Sequence, residues 1–487
     1  MSQSPKLLLG PLIGGLSDTA ANLWARADGP GRLRAWLGRR ADFSDAAEAG
    51  KSRPLRAEDG FAGVAPVGGL RRETTYYYAV TLTGRPPAKP DGQFTTFPRP
   101  GRPRPFSFAF GSCFCPGKIA NGEIFASLES HRRAVETDAA RKLRFTLLIG
   151  DQVYADDWKF NGLKEQYGEK GRVAVSLEDY RNVYAHVWGN EHFRAALTNL
   201  PAFMTLDDHE VDDDWRWTSS FRRAGSIPWW DKIGRFFKGR KAEEWRLPRR
   251  RILAALQAYW EHQGMHAPPM TLPPEVDEDG QYVLERYAPG SLAYSFTYGC
   301  AAFFVLDTRS MRVKKGNDRR MLGDDQWRIL KAWLLDAKDR YPVKFIVTSC
   351  SILFPMWIDI PGDRWSGFRE ERDKLLRFIG ENDIRGVYFL AGDLHSGHAV
   401  SAEIGPKGCR VPVWEFCSTP FEQETNRWAR CMYLPILSGL AGNQKPVFTT
   451  HEPHFGVVEV TYPRGKPSVK FCLYNRAGDP LHPPVGD

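Results

Sequence analysis

The chain has 487 residues, 42% of them hydrophobic and 26% charged, which is more than one core usually supports and excludes general disorder. A formal net charge of +9 suits an anionic partner such as a phosphate ester, a nucleic acid or a membrane surface, without choosing among them. Eight cysteines scattered at 113, 115, 300, 350, 409, 417, 431 and 472 form no disulfide framework, and no run of eighteen apolar residues is present to span a bilayer.

The first apolar stretch, Leu7 to Ile13, is preceded only by Lys6 and is broken by Gly10 and Pro11. It reads as neither a secretory nor a twin-arginine signal, and with reduced thiols the expectation is a cytoplasmic protein. From Leu7 to about Phe97 the pattern is one of short strands, Ala21 to Ala27, Leu33 to Leu37, Thr74 to Thr83 and Gly92 to Phe97, punctuated by Gly and Pro, as in a β-sandwich. Four prolines between Pro98 and Pro105 then mark a linker that continues neither a helix nor a central strand.

Beyond the linker the period changes. Phe106 to Phe110, Arg144 to Ile149, Ala301 to Leu306, Val343 to Thr348 and Gly386 to Leu390 are compact apolar runs, separated by helical stretches such as Leu163 to Leu200 and Trp229 to Met265. Such runs are buried strands of an α/β sheet. Basic clusters at Arg216 to Arg223, Lys238 to Lys241 and Arg249 to Arg251, interleaved with Trp217, Trp229 and Trp230, read as a solvated helical face, since no nucleic-acid motif accompanies them.

Polar residues recur directly after the apolar strands, where ligand sites of α/β sheets lie. One run ends at Cys113, the next at Asp151, Tyr154, Asp156 and Asp157; Pro201 to Leu206 leads into Asp207, Asp208, His209 and Glu210, and Val387 to Leu390 into Asp393, His395 and His398. Each has a plain structural explanation alone: a buried thiol, a turn, a helix cap, a core histidine. Together they do not, because clustered carboxylates behind an apolar strand repel one another unless a cation offsets them.

The ordered set Gly-Ser-Cys, Gly-Asp-x-x-Tyr-Ala-Asp, Asp-Asp-His-Glu-Val, Leu-Asp-x-Arg and Gly-Asp-x-His-x-Gly resembles the alkaline phosphatase D (PhoD-type) family of metallophosphoesterases. Gly10-Pro11 and Leu23 to Arg26 likewise look like that family's leading domain. The resemblance implies an α/β protein in which an immunoglobulin-like β-sandwich (1–97) and a Pro-rich linker (98–105) precede a calcineurin-like metallophosphatase α/β sandwich (106–487). A helical insertion at about 213–290 is a candidate cap for the site. Two or more metal ions are implied: iron(III) on Cys113, Tyr154, His395 and the bridging Asp151, and calcium or another divalent ion on Asp151, Asp208 and Asp393. His209 would donate a proton to the leaving group, with Glu210 orienting it, and Arg309 would face the phosphate.

The activity so implied is metal-dependent hydrolysis of a small-molecule phosphate ester, with no obligate protein partner. A phosphodiesterase or phospholipase acting on nucleotides, lipids or nucleic acid is the alternative, and a noncatalytic metal-binding scaffold a further one. Two departures stand out: Asp212, Asp213 and Asp214 follow the Asp-Asp-His-Glu motif where Asn is frequent, and Leu206 stands where an aromatic is frequent.

Overall fold

The structure is a computed structural model, and it describes residues 5–168, 171–215, 249–272, 291–313, 319–355, 364–431 and 433–487. Seven strands come first: β1 (Leu7–Gly14), β2 (Ala21–Ala27), β3 (Arg34–Gly38), β4 (Ala47–Lys51), β5 (Ala62–Val67), β6 (Thr75–Thr81) and β7 (Gly92–Thr95). They pair antiparallel in two sheets, β1-β2-β5 and β4-β3-β6-β7. Leu23, Ala25 and Ala65 of the first sheet meet Ala35, Tyr78 and Val80 of the second in one core. β2 spans the stretch read from sequence. β4 and β5 escape that reading because Ala, Gly and Pro give them little apolar alternation.

The remaining chain builds two larger sheets. Its elements are β8 (Phe106–Gly111), α1 (Glu123–Ala134), β9 (Leu143–Ile149), α2 (Lys164–Tyr167), α3 (Leu177–Trp188), α4 (Glu191–Asn199), β10 (Ala202–Thr205) and α5 (Arg249–Tyr259). Then come β11 (Tyr294–Tyr298), β12 (Ala301–Val305), α6 (Asp324–Arg340), β13 (Val343–Val347), α7 (Arg369–Glu381), β14 (Val387–Ala391), β15 (Gly397–Ile404) and β16 (Val411–Cys417). β17 (Ala441–Thr450), β18 (His454–Thr461), β19 (Ser468–Asn475) and β20 (Val485–Gly486) complete the chain. One sheet has the order β10-β9-β8-β18-β19-β20, the other β11-β12-β13-β14-β16-β15-β17. β8, β9 and β10 run parallel, as do β12, β13, β14 and β16.

Alternate residues of both sheets fill the space between them: Phe108, Phe145 and Ile149 from one, Phe303, Phe345 and Leu390 from the other. Phe108 meets Phe303 and Phe345 edge-on at 5.5 and 5.2 Å, the geometry in which a ring's positive edge meets a negative face. The opposite faces bury against helices. Tyr180 and Tyr184 of α3 and Leu256 of α5 cover Leu148 and Met204, while Leu330 of α6 and Leu375 of α7 cover Ile346 and Phe389. Helix, sheet, sheet and helix thus lie in layers.

The N-terminal sheets are docked on this body. Phe97, at the head of the Pro-rich segment, is buried against Phe145 and Tyr298 at 5.6 and 4.9 Å, and the Trp24 indole donates to the Glu261 carbonyl at 2.8 Å. The basic clusters at 216–223 and 238–241, with Trp217, Trp229 and Trp230, lie outside the described residues, as does most of the 213–290 segment. Arg251 departs from the reading of a solvated basic face: its side chain is buried and pairs with Asp212 at 2.9 Å. All eight cysteines carry free thiols. Among the described residues no helix is long and apolar enough to cross a membrane.

Candidate metal centre

Six parallel strands deliver a polar residue two positions beyond their last residue: Cys113 after β8, Asp151 after β9, Asp207 after β10, Asp307 after β12, Ser349 after β13 and Asp393 after β14. Both sheets therefore point their carboxyl ends at one place, where ligand crevices of open α/β sheets form. The turns there are tight. Cys113, Asp151, Asp393 and His395 all adopt positive φ, between 55° and 64°, a region that costs a non-glycine residue about 1–3 kcal/mol and that clusters at functional sites. At Gly150 a Cβ would fall 2.5 Å from that of Asp207, and at Gly392 one would fall 2.5 Å from the Ser112 hydroxyl. Glycine at these two positions lets the strand ends close on one another.

On one side of Asp151 stand sulfur, phenol and imidazole. Cys113 Sγ lies 3.3 Å from Asp151 Oδ2, and the Tyr154 hydroxyl lies 3.3 Å from the same oxygen and 3.2 Å from His395 Nε2. Ser112 and Thr419 hydroxyls approach the thiol at 3.2 Å each. On the other side are carboxylates: Asp151, Asp207, Asp208 and Asp393 each offer an oxygen within 4.8 Å of the others. A ring nitrogen of His209 stands at similar range to Asp151 and Asp208. The candidate ligand residues Cys113, Asp151, Tyr154, Asp208, Asp393 and His395 are thus brought together, with Asp151 common to both groups.

Two expectations are corrected. Glu210 does not orient His209. Its buried carboxylate accepts from the backbone amides of Asp151, Gln152 and Asp207 at 3.1, 2.9 and 2.9 Å, so it ties the β9 and β10 turns together. Asp156 holds the histidine instead, with Oδ1 and Oδ2 at 2.8 and 3.0 Å from His209 Nδ1, while accepting from the Asp213 amide at 3.1 Å. Arg309, expected to face phosphate, is 0% exposed: Nε pairs with Asp207 and Nη2 stands 3.2 Å from Asp208 Oδ1. A charge so enclosed neutralises the carboxylates beside it and is not open to a ligand.

The electrostatics of the cluster are dominated by burial and by the crowding of acids. Burial pushes Asp151, Asp208, Cys113 and Tyr154 well above their ordinary pKa values, with neighbouring acids adding to it in each case. His395 is pushed down to about 3, chiefly by burial and then by His209 and Arg364, so it presents a neutral nitrogen. Burial also opposes charge on His209, but Asp156, Asp208 and Asp151 outweigh it and hold the imidazole well above its usual value. Asp207 Oδ2 is buried without a hydrogen-bond partner. Thiol, phenol, imidazole and carboxylates in contact at one point fit metal ions, whose charge offsets the repulsion and displaces the protons.

Asp156 stands in the Gly-Asp-x-x-Tyr-Ala-Asp motif, yet only the fold shows what it touches. Ser349, which donates to Asp207 at 2.7 Å, directly follows the apolar run Val343 to Thr348 and so carries the same strand-end signal, whereas Thr419 and Arg364 stand in no recognisable motif. His398 belongs to the second sheet's interior, where Nε2 meets Glu415 at 2.9 Å and the ring stacks on Phe354.

The two layered sheets thus bring to their strand ends several groups of side chains that could each hold a metal ion. The chain belongs to the PhoD-like phosphatase family, whose model matches residues 119–470. It is 27% identical over 366 residues to alkaline phosphatase D of Bacillus subtilis (strain 168), covering 69% of this chain and 53% of that protein. The chain thus spans about half the length of that curated relative. Among solved structures it is similar to one of PhoD, with a TM-score of 0.67 at 19% identity over 99% of this chain and 93% of the other. It is also similar to a purple acid phosphatase from yellow lupin (Lupinus luteus) seeds, with a TM-score of 0.58 at 11% identity over 98% and 73%. At such identities these two likenesses speak for the fold alone.

Proposed function

We propose that this protein hydrolyses small-molecule phosphate esters with two metal ions that share Asp151. The observation that carries the reading is the convergence of two chemically different donor groups on that one buried carboxylate. Cys113, Tyr154 and His395 with Asp151 suit ferric iron, because thiolate and phenolate favour a transition metal. Asp151, Asp208 and Asp393 form an all-oxygen group that suits calcium or another hard divalent ion. Bound there, such ions would neutralise phosphoryl charge and lower the pKa of water.

The chain's own residues do the rest. Glu210 fixes the turns that carry Asp151 and Asp207, and Arg309 offsets the charge of Asp207 and Asp208. Asp156 occupies His209 Nδ1, which leaves Nε2 as the nitrogen that hands a proton to the departing alcohol oxygen. We read the two N-terminal sheets as an immunoglobulin-like sandwich over 1–97, joined by 98–105 to the metal-binding domain of 106–487, in keeping with the docking through Phe97 and Trp24. The test is metal analysis beside hydrolysis of a chromogenic monoester and a chromogenic diester. Turnover of either that is lost on chelation and regained with metal is expected, and the ratio of the two rates sets the ester class. Bound metal with turnover of neither would overturn the reading in favour of a scaffold.

A further inference from the structure

Helix α5 runs into a π turn, Trp260–Gly264, a form that takes up an extra residue and recurs at functional sites. Glu261, His262, Gln263 and Gly264 are all buried there, although a helix lying on a surface hides only one stripe. The turn is therefore enclosed from more than one side, and because residues two apart do not share a helix face, Glu261 and Gln263 meet different neighbours. Glu261 meets the N-terminal sheets. Its carbonyl accepts the Trp24 indole N–H at 2.8 Å, and its carboxylate takes Arg181 Nε and Nη2 at 2.8 and 2.6 Å. Arg181 donates on to the Glu58 carbonyl at 2.5 Å. Just beyond the turn, the His266 carbonyl accepts from Asn22 Nδ2 at 3.2 Å.

Gln263 meets the strand ends. Its Nε2 carries two hydrogens and donates to the Tyr184 hydroxyl at 3.0 Å and to Glu210 Oε1 at 3.3 Å. Glu210 is the carboxylate that accepts from the amides of Asp151, Gln152 and Asp207, so a side chain of the π turn holds the group that holds the Asp151 turn. Arg251, earlier on α5, grips Asp212 at 2.9 Å, and the same element thus clamps the segment 207–212 at two points. We propose that Gln263 is a positioning residue through which the docked N-terminal sheets set the geometry of the metal centre. The contacts run unbroken from the Trp24 indole through the backbone of Glu261 to Gln263, Glu210 and the Asp151 amide. Every one of these residues is buried, where a lost polar contact is not replaced by water.

This assignment rests on reading the strand-end cluster as a metal centre, and the two fail in different ways. The full-length wild type, Gln263→Met, Trp24→Phe, their double variant and Trp36→Phe are stripped of divalent ions. Each is then titrated with calcium by calorimetry, below its melting transition. Methionine keeps the length of the side chain and removes its amide; phenylalanine removes the indole N–H. Gln263→Met and Trp24→Phe should each bind calcium roughly tenfold more weakly. The double variant should bind no more weakly than Gln263→Met, because both substitutions cut one line of contacts. Trp36 is the control, since its indole donates to Thr81 Oγ1 at 2.8 Å within the N-terminal sheets: Trp36→Phe should lower the melting temperature and leave calcium affinity at the wild-type value. Wild-type affinity in Gln263→Met overturns the assignment. So do additive losses in the double variant, or a loss in Trp36→Phe equal to that in Trp24→Phe, which would trace the effect to general weakening of the sheets. If Gln263→Met does not fold, the comparison of Trp24→Phe with Trp36→Phe decides alone. A wild type that takes up no calcium overturns the all-oxygen metal site first, and the assignment with it.

Discussion

If His209 protonates the leaving oxygen while Asp156 holds its ring, the two residues act as a unit. His209→Ala should retain both metals and slow turnover of alkyl esters by about a hundred- to ten-thousand-fold, the usual span of general acid catalysis. Asp156→Asn should cost less. It keeps the imidazole but removes the carboxylate that meets Nδ1 at 2.8 and 3.0 Å. A charge-assisted contact of that kind contributes about 1.5–3 kcal/mol, or about ten- to hundredfold in rate. Both losses should nearly vanish on nitrophenyl esters, whose leaving group departs without a proton. The assay is a double-mutant cycle on one alkyl and one nitrophenyl ester, with metal content measured for each variant. Asp156 also accepts from the Asp213 amide, so a purely structural role would make Asp156→Asn equally harmful with or without His209. Equal harm in the His209→Ala background, or equal losses on both esters, would refute the dyad.

Three further outcomes are expected. Asp151→Asn should weaken both metals together, since the amide supplies no charge to either donor group; elemental analysis showing wild-type occupancy of both would exclude a shared ligand. Tyr154→Phe should abolish any visible charge-transfer band, and a colourless, iron-free, fully active wild type would exclude ferric iron. Asp59→Asn should stabilise the protein near pH 8 but not near pH 4. Burial, with Glu261 adding, raises the Asp59 pKa to about 6, so folded protein keeps a proton that the unfolded chain releases near the ordinary value of about 4, and stability falls as pH climbs between the two. Discounted for partial exposure the gain is about 1 kcal/mol, read as a higher melting temperature at pH 8 alone; an equal shift at both pH values would mean that the charge is not its source.

The polar side chains that gather at the strand ends were legible before any fold was known because each follows an apolar run, and a strand's end is a local property of sequence. Cys113, Asp151, Asp208 and Asp393 could be named from that pattern, and β2, β8, β9 and β13 from unbroken β-forming stretches. Which side chain meets which was not legible, because it depends on contacts between residues far apart in sequence. Glu210 is next to His209 in the chain, yet its carboxylate turns to amides of the β9 turn about sixty residues earlier, and Asp156 from that same turn takes the imidazole. Arg309 looked available beside a strand end, but closure of the two sheets buries it against Asp207 and Asp208. Residue type and strand position, which sequence carries, decided the chemistry at hand; burial and long-range pairing, which only packing of the two sheets creates, decided which charges are sealed and which can meet a ligand.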